Sequence, residues 1–155
     1  MTLITKETVT IEAVTQSNLQ LALPLIRQYQ AFYQVKDIND ENNRVFFSQF
    51  SPESSCGCQF IIYYDGHVAG FATVYFSFAS SIIQKVAILN DLYTRPNLRG
   101  KGLARQLIEH CRDYAKQHNA ARLQWVTAPD NQTAQTLYDK LDAQKSEWLF
   151  YSYKA

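Results

Sequence analysis

No run of about 18 apolar residues occurs in the 155-residue chain, so nothing in it reads as a membrane-spanning helix. The first residues, Met1-Thr2-Leu3-Ile4-Thr5-Lys6-Glu7, lack a basic stretch followed by an apolar one. No secretory leader is evident, and a cytoplasmic location is expected. Neither sign of charge dominates: 15 Lys+Arg stand against 14 Asp+Glu, which gives no electrostatic reason to expect nucleic acid or membrane as an obligate partner. Cysteine is scarce. The odd set of Cys56, Cys58 and Cys111 argues against a disulfide framework, and Cys56-Gly57-Cys58 has no second Cys/His pair at zinc spacing, so no metal is expected. Repeats, low-complexity tracts and linkers are also missing. Residues 1–155 therefore read as one domain, long enough for a substantial core.

The residues that are present alternate between two periods. Val9 to Val14 reads as a short strand. Ser17 is the expected cap of a helix to about Phe32, with Leu19, Leu23, Ile26 and Tyr29 on one face, kinked by Pro24 or starting after it. Asp40 to Phe50 reads as a second helix with Val45, Phe46 and Phe50 inward. Strands are expected at Gln59–Tyr64, His67–Phe76 and Lys85–Thr94, the first two joined by the hairpin signal Asp65-Gly66 and the last two by a polar turn at Ser77–Ser81. Gly102 to His118 is helical, with Leu103, Leu107, Cys111, Tyr114 and Ala115 inward and Asn119 as its stop. Arg122–Thr127 reads as a strand. A helix capped by Asp130 or Asn131 follows, carrying Ala134, Leu137, Tyr138 and Leu141 on one face, and Trp148–Tyr153 reads as a last strand.

The most informative stretch runs from Ile88 to Ala104. An apolar strand ends, and the basic, glycine-interrupted loop Arg99-Gly100-Lys101-Gly102 opens straight into an amphipathic helix. Glycines bring backbone N–H groups close to a phosphate, and a helix N-terminus adds its partial positive charge. Neither a nucleoside-triphosphate loop nor a dinucleotide fingerprint fits the spacing. The loop does fit Arg/Gln-x-x-Gly-x-Gly/Ala. Downstream come Leu123-Gln124-Trp125-Val126-Thr127, then Asn131 and Ala134, then Leu137-Tyr138-Asp139.

In that order the motifs resemble the GNAT superfamily of N-acetyltransferases, over about residues 86–140. They are similar in particular to its Hpa2-type branch and more distantly to the diamine acetyltransferases. The resemblance implies an α/β (α+β) fold: a mixed, mostly antiparallel central sheet, flanked by helices and splayed at the cofactor site. It implies acetyl-CoA as cosubstrate, with the pantetheine arm on the backbone of Leu92, Tyr93 and Thr94. The pyrophosphate would lie on Arg99, Gly100, Lys101, Gly102, Leu103, Ala104 and Arg105, with Asn131 and Ala134 also at the cofactor. The activity implied is direct transfer to a primary amine, of a small molecule or of a protein lysine, and the resemblance also implies a homodimer. Tyr138 takes the family position of the acid for the departing thiolate. Asn90 stands where many relatives have Glu and cannot accept a proton at neutral pH, so the base is sought elsewhere: Asp91 ranks first, with Glu147 and a polarised water as the other candidates. His67 reads as a hairpin residue. A non-catalytic acyl-CoA sensor on the same scaffold is the alternative.

Overall fold

The computed structural model describes residues 6–155, so residues 1–5 of the segment read for a leader lie outside the described residues. The elements run β1 (Val9–Ala13), α1 (Leu19–Phe32), α2 (Asp40–Phe47), β2 (Gly57–Tyr64), β3 (His67–Ala79), β4 (Gln84–Thr94), a 3-10 turn at Pro96–Leu98, α3 (Leu103–Gln117), β5 (Leu123–Gln124) and α4 (Gln132–Tyr138). The chain falls into two compact units, one ending at Trp125 and one comprising Val126–Ala155.

The first unit carries a five-stranded sheet in the order β1-β2-β3-β4-β5. Every pairing is antiparallel except β4 with β5. Asp65 and Gly66 take φ of 47° and 79° and link Tyr64 to its partner His67, as a tight hairpin on right-twisted strands requires. The sheet is covered on both faces. Leu19, Leu23, Leu25 and Ile26 of α1, with Phe47 and Phe50, pack on Ile61, Phe71 and Tyr93. Alternation turns Phe60 and Phe76 to the other face, where their rings meet Tyr114 of α3. Each fully buried side chain of this size contributes about 1.5–3 kcal/mol. Gln30 and Asn43 exchange two amide hydrogen bonds of 2.8 Å and tie α1 to α2.

Several boundaries differ from the sequence reading. Ser17 does not cap α1; Asn18 occupies that place, and its side chain instead accepts from the Thr15 amide at 2.7 Å and donates to Glu12 at 2.7 Å. Pro24 lies inside α1, which begins at Leu19 rather than after the proline. In α2, Asn39 is the cap, and Phe47 is buried while Val45 and Phe46 are exposed. The buried stripe is thus rotated one residue from the expected one, because the helix ends at Phe47 and Phe50 reaches the core from the loop beyond it. The polar break at Ser77–Ser81 is mostly strand: Ser77, Phe78 and Ala79 pair with Val86, Lys85 and Gln84. Ladder hydrogen bonds outweigh side-chain polarity there.

In the second unit, α4 ends at Tyr138, so Leu141 lies beyond the helix. Asn131 is the cap, accepting from the Ala134 amide at 3.2 Å. Trp148–Tyr153 forms no strand: its aromatic residues are 84–101% exposed, and among the described residues no strand pairs with it. A strand without ladder partners is not stable in water.

Candidate active site

The site grows from the end of β4. Thr73 faces Asp91 and Val74 faces Leu89, which leaves Asn90 as an extra residue in β4. Such a bulge bends a strand and interrupts its ladder. Pairing between β4 and β5 covers Ala87 with Leu123 and Ile88 with Gln124, and stops there. The strand expected over Arg122–Thr127 is accordingly two residues long. From Leu89 to Thr94, β4 has no strand on that side among the described residues. Arg95 donates its amide to Ala69 of β3 at 2.8 Å. Antiparallel alternation then turns the backbone of Tyr93 and Asp91 toward β3, and that of Leu92 and Thr94 toward the open side.

The loop after β4 is built for positive φ. Gly100 and Gly102 adopt φ of 80° and 76°, a region costly for residues with a Cβ, and a Cβ on either would meet nothing within 4 Å. Gly102 is the N-terminal boundary of α3, with no side-chain cap and no acidic residue in the first turn. The first helical bond runs from the Gln106 amide to the Gly102 carbonyl at 3.1 Å. The amides of Leu103, Ala104 and Arg105 therefore have no partner within the helix. Arg99 donates from Nε to the Thr94 carbonyl at 3.2 Å and lies 5.8 Å from the Tyr93 ring centre, which fixes the loop to the end of β4. Lys101 stands 3.8 Å from Glu7 and 5.0 Å from the Tyr64 ring centre, and Arg105 pairs with Glu109 at 3.1 Å. Exposed pairs of this kind are weak and give way to a phosphate.

Asp91 is 5% exposed. Its Oδ1 accepts from Asn90 Nδ2 at 3.1 Å, and its Oδ2 is buried without a partner at hydrogen-bonding geometry. Burial raises its carboxyl above the usual carboxylate range, opposed by the nearby Thr73 and Tyr29 hydroxyls and the Asn90 amide. The same burial, with the Asp91 charge second, raises the Tyr29 phenol and pushes that of Tyr75 up to about 12. Both phenols stay protonated at neutral pH.

The structure thus brings Asp91, Leu92, Tyr93, Thr94, Arg99, Gly100, Lys101, Gly102, Leu103, Ala104 and Arg105 onto one strand–loop–helix segment. In the second unit Asn131 caps α4, which carries Ala134 and ends at Tyr138. Glu147 and His67 are exposed. Cys111 packs inside α3, and burial pushes the Cys58 thiol up to about 12, so both behave as small apolar groups. The sequence reading missed Tyr29, Thr73 and Tyr75 around Asp91. No local signal marks them, since α1 and β3 meet β4 only in the folded sheet.

Residues 23–143 match the family model described as the acetyltransferase (GNAT) family. An uncharacterized N-acetyltransferase of Bacillus subtilis is 30% identical over 130 residues, which cover 84% of this chain and 86% of that one. The D-amino-acid N-acetyltransferase of Saccharomyces cerevisiae is 35% identical over 86 residues, 56% of this chain and 53% of the relative. A crystal structure of a probable acetyltransferase superposes with a TM-score of 0.82 at 26% identity, covering 94% of this chain and 97% of that one.

Proposed function

The chain belongs to the GNAT family of acetyltransferases, and on that premise we propose that it transfers the acetyl group of acetyl-CoA directly to a primary amine within a ternary complex. One observation carries the reading: the uncapped N-terminus of α3, entered through Gly100 and Gly102, follows directly on the end of β4 whose outer edge is open. Anionic phosphate suits those amides, and an extended amide-bearing arm suits the outward backbone of Leu92 and Thr94. Arg99, Lys101 and Arg105 add charge to the pyrophosphate site.

A primary ammonium has a pKa of about 10.4, so a proton must leave before the nitrogen attacks. Asp91 is the base in this proposal. Its raised carboxyl lies closer to working pH than an ordinary aspartate, which favours proton acceptance. An outward N–H of β4 polarises the thioester carbonyl. Tyr138 is the acid for the departing sulfur in this proposal, and Asn131 and Ala134 are further cofactor residues.

A single catalytic domain over residues 1–155 acts as a homodimer in this reading. No residue of 126–155 is buried, and Trp148, Phe150, Tyr151 and Tyr153 stand exposed, which a second copy would cover. Light scattering at micromolar concentration tests this: a dimer mass is expected, and a monomer mass overturns it. The acceptor is a small amine or a protein lysine. A non-catalytic acyl-CoA sensor is the second reading, favoured by the carboxamide of Asn90 at a position where many relatives have a carboxylate.

Mass spectrometry after incubation with acetyl-CoA and a primary amine tests the reaction. N-acetylated amine with an unmodified protein mass is expected. A stable acetyl-protein species preceding product would contradict direct transfer.

A further inference from the structure

Two strings of aromatic rings converge on Asp91. On α1, Phe32 contacts Tyr33 at 5.2 Å between ring centres, Tyr33 contacts Tyr29 at 4.9 Å, and the Tyr29 hydroxyl stands beside the Asp91 carboxylate. From α2, Phe46 contacts Phe50 at 5.7 Å, Phe50 stacks on Tyr75 at 4.7 Å, and the Tyr75 hydroxyl accepts from Asn90 at 3.3 Å. The outer rings are not core: Phe32, Tyr33 and Phe46 are 61%, 56% and 48% exposed. At the meeting point lies a buried carboxylate oxygen, Asp91 Oδ2, with the Thr73 and Tyr29 hydroxyls nearby but no donor at hydrogen-bonding geometry. A buried acceptor left unpaired is costly, and a cationic donor removes that cost.

The charges nearby narrow the donor further. Asp40 is engaged by Arg27 at 2.9 Å and Glu41 by Arg44 at 3.6 Å. One arginine of α1 and one of α2 thus partly match the acidic start of α2, and the one buried carboxylate among the described residues, Asp91, lies where the rings meet, which suits a single ammonium. Hydroxyl-rich amino sugars need several polar partners, whereas the side chains leading to Asp91 are mostly rings. We propose that the acceptor is a primary monoamine on an aromatic or apolar body, its ammonium at Asp91 Oδ2 between Tyr29 and Tyr75 and its body along the rings of α1 and α2. This rests on the acetyltransferase reading and names its substrate class.

The test is direct binding to the CoA-saturated full chain, measured by calorimetry with three probes: 2-phenylethylamine, spermidine and glucosamine. We expect 2-phenylethylamine to bind at least about tenfold tighter than the other two, and Tyr33→Ala and Phe46→Ala each to weaken it by several-fold without changing CoA affinity. Both positions are exposed, so these variants should fold. Asp91→Asn, which keeps the shape and removes the charge, should weaken the amine by more than either. Tighter binding of spermidine or glucosamine, binding of none of the three, or indifference to the ring variants would overturn the proposal. Acetylation of spermidine with none of 2-phenylethylamine would refute the substrate class and leave the acetyltransferase reading intact. Absence of turnover with every amine, despite CoA binding, would instead count against that reading.

Discussion

Asn90 Nδ2 donates to Asp91 Oδ1 at 3.1 Å and reaches the Tyr75 hydroxyl at 3.3 Å. Neighbours in a regular strand face opposite ways. Here the extra residue in β4 puts both side chains on the face that α1 and α2 cover. Position 90 holds a carboxamide, which takes no proton at neutral pH, but the bulge brings the next carboxylate to the same face. The account of catalysis depends on that one-residue displacement.

Asp91→Asn should therefore lower kcat by about 10²–10⁴-fold while making the protein more stable. Burial penalises the charged carboxyl, so its folded pKa is raised. Stability linked to this group is present at low pH and lost as pH rises through the folded pKa. At pH 7–8 the variant should melt at a higher temperature than the parent, and the acid limb of kcat/KM should vanish. A lower melting temperature together with an unchanged pH–rate profile would remove Asp91 from the mechanism.

Gly102→Asp should weaken acetyl-CoA by more than tenfold, because it puts a negative charge beside amides proposed to meet phosphate. A non-glycine residue at φ of 76° costs about 1–2 kcal/mol. Gly102→Asn separates the two effects, since Asn tolerates this backbone region and carries no charge. Calorimetry should rank parent, Asn variant and Asp variant in falling affinity. Equal affinities for all three would show that the loop does not bind the cofactor.

The rotated face of α2 predicts a contrast in stability. Phe47→Ala removes a side chain that is 6% exposed and should cost about 3–5 kcal/mol. Val45→Ala removes one that is 66% exposed and should lie within about 0.5 kcal/mol of the parent. Urea denaturation of the two variants measures the difference. Comparable losses would mean that the helix face is misassigned.

Tyr138→Phe keeps the ring and removes the proton donor. It should reduce kcat by about 10²–10⁴-fold with little change in KM for acetyl-CoA, less if the thiolate leaves unaided. Steady-state kinetics from pH 7 to 9 measure it, and a parental kcat throughout would leave water or a backbone donor as the proton source.

The strand–loop–helix segment could be read from the sequence because its chemistry is local: Arg99, two glycines and the apolar stripe of α3 declare themselves within twenty residues. The hairpin at Asp65-Gly66 is legible for the same reason. What surrounds Asp91 is not local. The bulge at Asn90 shows only in the offset between β3 and β4, and Tyr29 and Tyr75 arrive from elements that look like ordinary core. The strands expected at Arg122–Thr127 and Trp148–Tyr153 had the right alternation, but a strand also needs a partner. The first finds one for two residues and the second for none among the described residues. The α2 stripe was misplaced because Val45, Phe46, Phe47 and Phe50 offer more apolar side chains than one helix face can bury.

The most direct measurement of the central claim is thiol release from acetyl-CoA, followed with and without a panel of primary amines. The account predicts slow release alone, and a rate that rises and saturates with amine concentration, with N-acetylated amine equal to CoA released. Saturable binding of acetyl-CoA without amine-dependent release from any member of the panel would contradict it and make the chain a sensor on an acetyltransferase scaffold.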